Sequence, residues 1–450
     1  MKKHFSILIA FLLTATLTAA TIPCSFGQAP TVEELWINPM EVIDLAVSKD
    51  GNYIVAVNET GLYYFTTENP DPLWWFEATD SSSFTSVAVS ANGNYVVAGN
   101  ATGYIAYFTN AQTLTGSIAD AAWWSNDLGG SVEPGTLDIS DNGEYVVVGG
   151  TGENLYYFAG CTSRSGIGQS ADWSDQISGN VHAVDMSSDG RYVVAGSYDY
   201  SSNYGYVAFY KDANTPPYPT EPDWLVDKKN SIITDVAVSD DGYAVAAAST
   251  HMLTTVYYWA DATTLTDSPG VTWSKSGFFS LVDMSANGDN VIAVGAGIYE
   301  HPFLHFWSEA RSLTGTPEET WTALQDENTY VDGAAISDDG SLIVATASVS
   351  TDSEWNYNAY FFTSDGTLIG NFILNTNSPL VSISGDGSIV AIGGPGWDSI
   401  YVFKVTKPPV GGIILPTKSQ VLHISFIAAL VAISIAVIAA TKIKARTSPL

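Results

Sequence analysis

Asp240-Asp241-Gly242 and Asp338-Asp339-Gly340 each set two adjacent carboxylates in a tight turn. Hard oxygen donors of this kind suit Ca²⁺, the one cofactor this sequence offers any place for, and a cation abundant outside cells. No loop has EF-hand spacing, and turn chemistry accounts for the same four acids, Asp240, Asp241, Asp338 and Asp339, because Asp-Gly supplies the positive φ of a hairpin. Nucleophilic chemistry finds less support. Four histidines, His182, His251, His301 and His305, lie in the body of the chain, and no Gly-x-Ser-x-Gly elbow accompanies them. His301 and His305 are four apart, but they lie in a strand-like run, where that spacing is not the helical pair of a zinc hydrolase. Two cysteines, Cys24 and Cys161, are too few for a disulfide framework or a thiolate metal cluster. Asn58-Glu59-Thr60 and Asn100-Ala101-Thr102 are glycosylation sequons, with Asn58 and Asn100 as acceptors.

The elements that must position these residues repeat. Ser-x-(Asp/Asn)-Gly occurs eight times, ending at Gly51, Gly93, Gly143, Gly190, Gly242, Gly288, Gly340 and Gly387, at an average interval of 48 residues. An apolar run such as Val236-Ala237-Val238 precedes each turn, and another such as Tyr95-Val96-Val97-Ala98 follows it. A third run is aromatic, as in Leu62-Tyr63-Tyr64-Phe65, and a fourth carries tryptophan: Trp74, Trp123, Trp173, Trp224, Trp273 and Trp321. Four antiparallel strands repeated at this period make an all-β, eight-bladed β-propeller, with seven blades as the alternative if one divergent repeat is a decorated loop. The eighth repeat lacks a fourth strand after Phe403, while Glu34-Leu35-Trp36-Ile37-Asn38 has no blade of its own. The N-terminal strand is therefore expected to complete blade eight and close the ring, which removes a free sheet edge.

In that frame Asp138, Asp185 and Asp283 share one position, two residues before the turn serine on the innermost strand, where other repeats place Ala46, Ala88, Ala237, Ala335 or Ser382. A carboxylate there either accepts hydrogen bonds from the neighbouring blade or faces an axial channel and attracts a cation.

The run Val184–Gly196 resembles the first half of a WD repeat, although the Gly-His and Trp-Asp dipeptides of that family are absent. Ala111–Gly116 leading to Trp123 is similar to the Thr-Gly…Trp portion of pyrroloquinoline-quinone-type repeats. Both resemblances imply the propeller. The second would imply a dehydrogenase with a calcium site, cofactor-stacking aromatics and a vicinal disulfide, but Cys161 has no adjacent cysteine, and nine of the thirteen tryptophans fall in the repeated fourth strand as blade core.

Charge and the chain ends set the expected location. Residues 28–403 hold eight basic and 47 acidic residues, a net −39, which would repel a polyanionic backbone and excludes nucleic acid as a partner. Residues 1–27 read as a signal peptide, with Lys2-Lys3 before the apolar Ile7–Leu13. The propeller is assigned to 28–404 and a Pro/Gly linker to 405–420, in which Pro408–Pro416, before the apolar run, resembles the C-terminal anchors of archaeal surface proteins. The apolar run Val421–Ala440 marks a transmembrane helix at 421–441, and Lys442, Lys444 and Arg446 lie in a cytoplasmic tail at 442–450. The expectation is a single-pass cell-membrane protein with its propeller on the extracytoplasmic side, a non-catalytic recognition or scaffold module for protein or glycan partners. The alternative is an extracytoplasmic enzyme, hydrolase or quinoprotein dehydrogenase, with its site at the central channel.

Overall fold

Each of the eight turns closes its hairpin through the same side chain. In the first, Gly51 N donates to Ser48 O at 2.8 Å, Tyr53 N donates to Ser48 Oγ at 3.0 Å, and that hydroxyl donates to Asp50 Oδ1 at 2.7 Å. The turn glycines adopt φ between 66° and 76°, the left-handed region that a side chain resists. At Gly93 a Cβ would also come within 2.2 Å of Tyr53 Cδ2 in the preceding blade, so glycine is required twice over.

The protein, here a computed structural model, is described for residues 29–407 apart from 79–82, 252–253, 297–302, 352–353, 375–379 and 395–398. Residues 31–406 form one unit of eight antiparallel sheets. Blades 1 to 7 occupy 44–77, 84–125, 137–176, 180–229, 231–276, 278–323 and 329–374. Blade 8 joins Leu380–Ile383, Ile389–Gly393 and Ile400–Thr406 to the N-terminal strand Thr31–Asn38, so the ring closes as expected and holds eight blades. Two blades gain a fifth strand from their neighbour: Gly116–Ser117 pairs parallel with Trp74–Glu77, and Gly166–Gln169 with Trp123–Ser125. These borrowed segments cover outer edges that would otherwise be open.

The tryptophans explain why the fourth strand repeats. Trp74, Trp123, Trp173, Trp224, Trp273 and Trp321 each stack on an aromatic of the adjacent strand in their own blade, as Tyr107 on Trp123 at 5.0 Å and Tyr258 on Trp273 at 5.0 Å. The indole N–H then reaches the next blade: Trp36 to Thr67 O, Trp74 to Ala111 O, Trp123 to Cys161 O, Trp173 to Ala213 O, Trp224 to Ala262 O, Trp273 to Ala310 O and Trp321 to Ser364 O, all between 2.8 and 3.1 Å. Tyrosine hydroxyls add a second tether at four seams, Tyr64 to Gly93 O, Tyr107 to Gly143 O, Tyr157 to Gly190 O and Tyr258 to Gly288 O. Among the described residues neither tether spans blades 7 and 8. The fourth strand of blade 7, Leu368–Leu374, has no tryptophan, and that seam is held by apolar packing of Leu342, Val344 and Phe361 against Val390, Tyr401 and Phe403.

Among the described residues no helix is long and apolar enough to cross a membrane. The signal peptide at 1–27, Cys24, and the helix and tail at 421–450 lie outside the described residues.

Candidate functional site

The innermost strands place a ring of carboxylates along the axis, and the ring is larger than the sequence pattern indicates. Asp138 accepts from Ile139 N at 2.7 Å and from Met186 N in blade 4 at 3.1 Å. Asp185 accepts from Met186 N at 2.9 Å and Val238 N in blade 5 at 2.6 Å. Asp283 accepts from Met284 N at 2.8 Å and Ile336 N in blade 7 at 3.0 Å. Two acids that the pattern missed do the same. Asp44 joins blade 1 to Val87 N at 2.9 Å, and Asp235 joins blade 5 to Val282 N at 3.0 Å. Both stand four residues before the turn serine, not two. The pleat has a period of two, so positions two and four before the serine point to the same side of the strand; that was the signal available. Ser382 Oγ makes the corresponding link to Val47 N at 3.0 Å. These carboxylates therefore staple neighbouring blades, and Asp138, Asp185, Asp235 and Asp283 also line the axial cavities.

A second ring lies at the turns. The residue after each turn serine meets the axis: Lys49, Ala91, Asp141, Ser188, Asp240, Ala286, Asp338 and Gly385. Backbone hydrogen bonds run around it from blade to blade. Ala91 N donates to Asp141 O, Asp141 N to Ser188 O, Asp240 N to Ala286 O, Ala286 N to Asp338 O and Gly385 N to Lys49 O, at 2.8 to 3.1 Å. Ser188 N closes one gap through Asp240 Oδ1 at 3.2 Å. Into this ring Lys49 extends an ammonium that lies 2.9 Å from Asp338, 3.2 Å from Asp141 and 3.6 Å from Asp240. Desolvation works against its charge, but the Asp338 hydrogen bond and the three carboxylates outweigh it and hold the lysine pKa above its usual value.

This geometry separates the paired carboxylates that looked like Ca²⁺ ligands. Asp240 and Asp338 face the axis and Lys49, while Asp241 turns away to accept from Ser239 Oγ at 2.7 Å and Arg311 at 2.6 Å. Asp339 accepts from Ser337 Oγ at 2.7 Å and Ser341 Oγ at 2.6 Å. In each pair the two carboxylates thus engage different partners, one at Lys49 and the other at its own turn. Among the described residues no group of three His, Cys, Asp or Glu side chains is arranged to hold a metal ion.

Two cavities open on the axis. One of about 260 Å³ is lined by Asp185, Asp235 and Asp283 with Val282 and Ala335; the other, about 240 Å³, by Lys49, Asp138, Asp141, Asp240 and Asp338. Each of these inner aspartates is half-buried. Burial raises Asp138, Asp235 and Asp283 to about 7 and Asp44 to about 6, against their backbone hydrogen bonds, and also pushes Asp185 well up. A pH dependence follows. Folded-state values above the ordinary 3.8 mean that the folded protein binds more protons, so this contribution to stability is full below about pH 4 and is lost as pH rises through 7. The thermal midpoint is expected to be several degrees higher at pH 5 than at pH 8, and Asp138→Asn with Asp235→Asn and Asp283→Asn to narrow that gap. An unchanged pH profile in the triple variant would refute the assignment.

Other sequence candidates fall elsewhere. Asn58 sits in a half-buried turn where its Oδ1 accepts from Thr60 N at 2.9 Å. The equivalent Asn100 is only 2% exposed and its Oδ1 accepts from Thr102 N and Tyr104 N, so the folded chain does not present that side chain as an acceptor. His305 is buried and bonds Glu319 of the same blade 6 at 2.9 Å, His182 and His251 lie by Tyr200 and Tyr198, and His301 is outside the described residues. Among the described residues, no hydrogen bond or ion pair joins His182, His251 or His305 to the axial acids. Cys161 is a free, buried thiol whose pKa burial pushes up.

Comparison with known proteins agrees with this geometry. A family model described as "WD domain, G-beta repeat" matches residues 173–201, from the outer strand of blade 3 into the second strand of blade 4. No curated protein matches the chain. Among solved structures, the C-terminal WD40 domain of Sif2 is similar at a TM-score of 0.62 and 11% identity, over 84% of this chain and 100% of that one. The Dos1 propeller is similar at a TM-score of 0.59 and 11% identity, over 84% of this chain and 94% of that one. At such identities the likeness concerns the fold, and the chain is a WD-repeat-like β-propeller.

Proposed function

We propose that this protein is a recognition or scaffold module, non-catalytic, that presents its propeller outside the cell to protein or glycan partners. The observation that carries the reading is the use made of the axial polar groups. The inner carboxylates accept from neighbouring blades, and Asp141, Asp240 and Asp338 share Lys49. Chemistry-bearing side chains are thereby spent on holding the ring, which leaves its faces and rim for partners. The signal-like N-terminus and the apolar Val421–Ala440 run support export and membrane attachment. The acidic balance argues for partners other than nucleic acid, and the half-buried Asn58 turn is the better-placed of the two glycan acceptors.

One observation favours a second reading, an enzyme of the central channel: Asp138, Asp235 and Asp283 hold carboxyls near pH 7 beside a cavity, as general acids require. A single comparison separates the two. The tagged full-length chain, incubated with its own cell envelope, should retain a defined protein or glycan, and the triple Asp→Asn variant should retain it equally. Substrate turnover that disappears in that variant would instead establish the channel enzyme.

A further inference from the structure

Blade 7 departs from the other blades in length, aromatic exposure and charge. Its two middle strands, Leu342–Ser350 and Trp355–Thr363, run nine residues each, where the corresponding strands of blade 1 run six. The extra residues lengthen the hairpin on the face opposite the Ser-x-Asp-Gly turns. Cross-strand register sets Tyr330, Ser348 and Tyr357 side by side, with Ser350 beside Trp355, all on the side of the sheet that meets blade 8. Blade 8's second strand, Ile389–Gly393, is five residues long, against nine in blade 7. Trp355 is 52% exposed, unlike the other described tryptophans, and its ring lies 5.6 Å from that of Tyr330.

Charge specifies the occupant. Blade 7, residues 329–374, contains six acidic residues and no Lys, Arg or His, and Asp326 and Glu327 stand in the loop before it. Asp326, Glu327 and Glu354 are exposed at the loops beside this face, and Asp332 lies on it, accepting from Ser348 Oγ. The backbone holds these loops together: Thr329 N donates to Asp326 O at 2.8 Å and Ser350 N to Asn328 O at 2.8 Å. An open indole rimmed by carboxylates attracts a cation to the ring face and neutralises it at the edge.

We propose that the Tyr330–Trp355 face of blade 7 is a docking surface for a basic segment of a partner protein, with a Lys or Arg side chain seated on Trp355. The assignment rests on the scaffold reading and adds to it the partner's chemistry and the blade that meets it. Neutral glycans stack on aromatics without needing the acidic rim, and an acidic segment is repelled by it.

The test uses the full-length chain and a fluorescent peptide of alternating lysine and serine, with a glutamate-serine peptide as control, read by anisotropy. The lysine peptide should bind in a salt-sensitive manner, and Trp355→Ala should weaken it by about tenfold, the loss expected for one cation–π contact of about 1.4 kcal/mol. Trp355→Phe should recover part of the binding. Glu354→Lys with Asp326→Lys should weaken it further, whereas Glu68→Lys with Asp71→Lys in blade 1 should not. Equal loss from the blade 1 reversals would show general attraction to an acidic protein and would overturn the proposal. So would binding insensitive to Trp355→Ala, or no binding of the lysine peptide. A native partner that is retained equally by the parent and by Trp355→Ala overturns this surface while the scaffold reading stands.

Discussion

Deleting residues 29–38 is expected to prevent the chain from reaching a folded monomer. The strand Thr31–Asn38 makes seven registered pairs with Ile400–Thr406, from Thr31–Thr406 to Asn38–Ile400. Without it, blade 8 keeps three strands and Ile400–Thr406 becomes an open, apolar edge, a template for pairing with another chain. The deletion also removes Trp36, which is 8% exposed, packs on Phe65 at 5.8 Å and donates to Thr67 O in blade 1 at 2.9 Å. That tether is the only tryptophan bond across the 8–1 seam among the described residues, and Trp36→Ala alone should cost about 3–5 kcal/mol. Size-exclusion chromatography of the deletion variant should show aggregates or strand-paired dimers, and a synthetic peptide of residues 29–40 should restore the monomer. A deletion variant that is monomeric and melts with the parent would refute the closure mechanism.

Replacing Lys49 by Met should destabilise the ring from its axis. One ammonium serves three carboxylates at 2.9, 3.2 and 3.6 Å, from blades 7, 3 and 5, and side-chain exposures of 34–42% leave the cluster partly open to water. The loss should therefore fall between surface and buried pairs, at about 2 kcal/mol, or several degrees in Tm. Its pH dependence identifies the cause. Burial already raises Asp141, and Lys49 counters that rise. Once the lysine is gone, the folded-state pKa rises further above the unfolded value, so stability is lost as pH climbs through it. The deficit of Lys49→Met should be largest near pH 8 and shrink towards pH 5. Adding Asp338→Asn should recover part of it at pH 8, because one of the stranded charges is removed. A variant as stable as the parent at pH 8, or a double variant with no recovery, would show that the cluster has no structural role.

Much of this fold is legible along the chain because its signals are local. Asp-Gly and Asn-Gly turns need only four residues to declare positive φ, and the serine that braces each turn bonds within five residues of itself. The recurring tryptophan could be assigned to a fourth strand from spacing alone, and the surplus Trp36 strand implied closure. The site was legible only in part. Asp138, Asp185 and Asp283 stood out through a shared offset, whereas Asp44 and Asp235 use the next inward position of the same pleat. The paired acids Asp240-Asp241 and Asp338-Asp339 suggested chelation, and their adjacency in sequence did not show that the second acid of each pair accepts from its own turn serine.

By its sequence alone this protein determined an eight-fold repeat, a closed all-β ring, an acidic body and basic, apolar ends. Those properties depend on turn chemistry, period-two patterning and composition, which are set within a few residues. Only the tertiary structure decided that Lys49 gathers carboxylates from three other blades, that Asn100 is enclosed while Trp355 is open, and that apolar side chains pack the 7–8 seam. Each of these is a contact between segments far apart in sequence, where distance and burial exist only after the ring has closed.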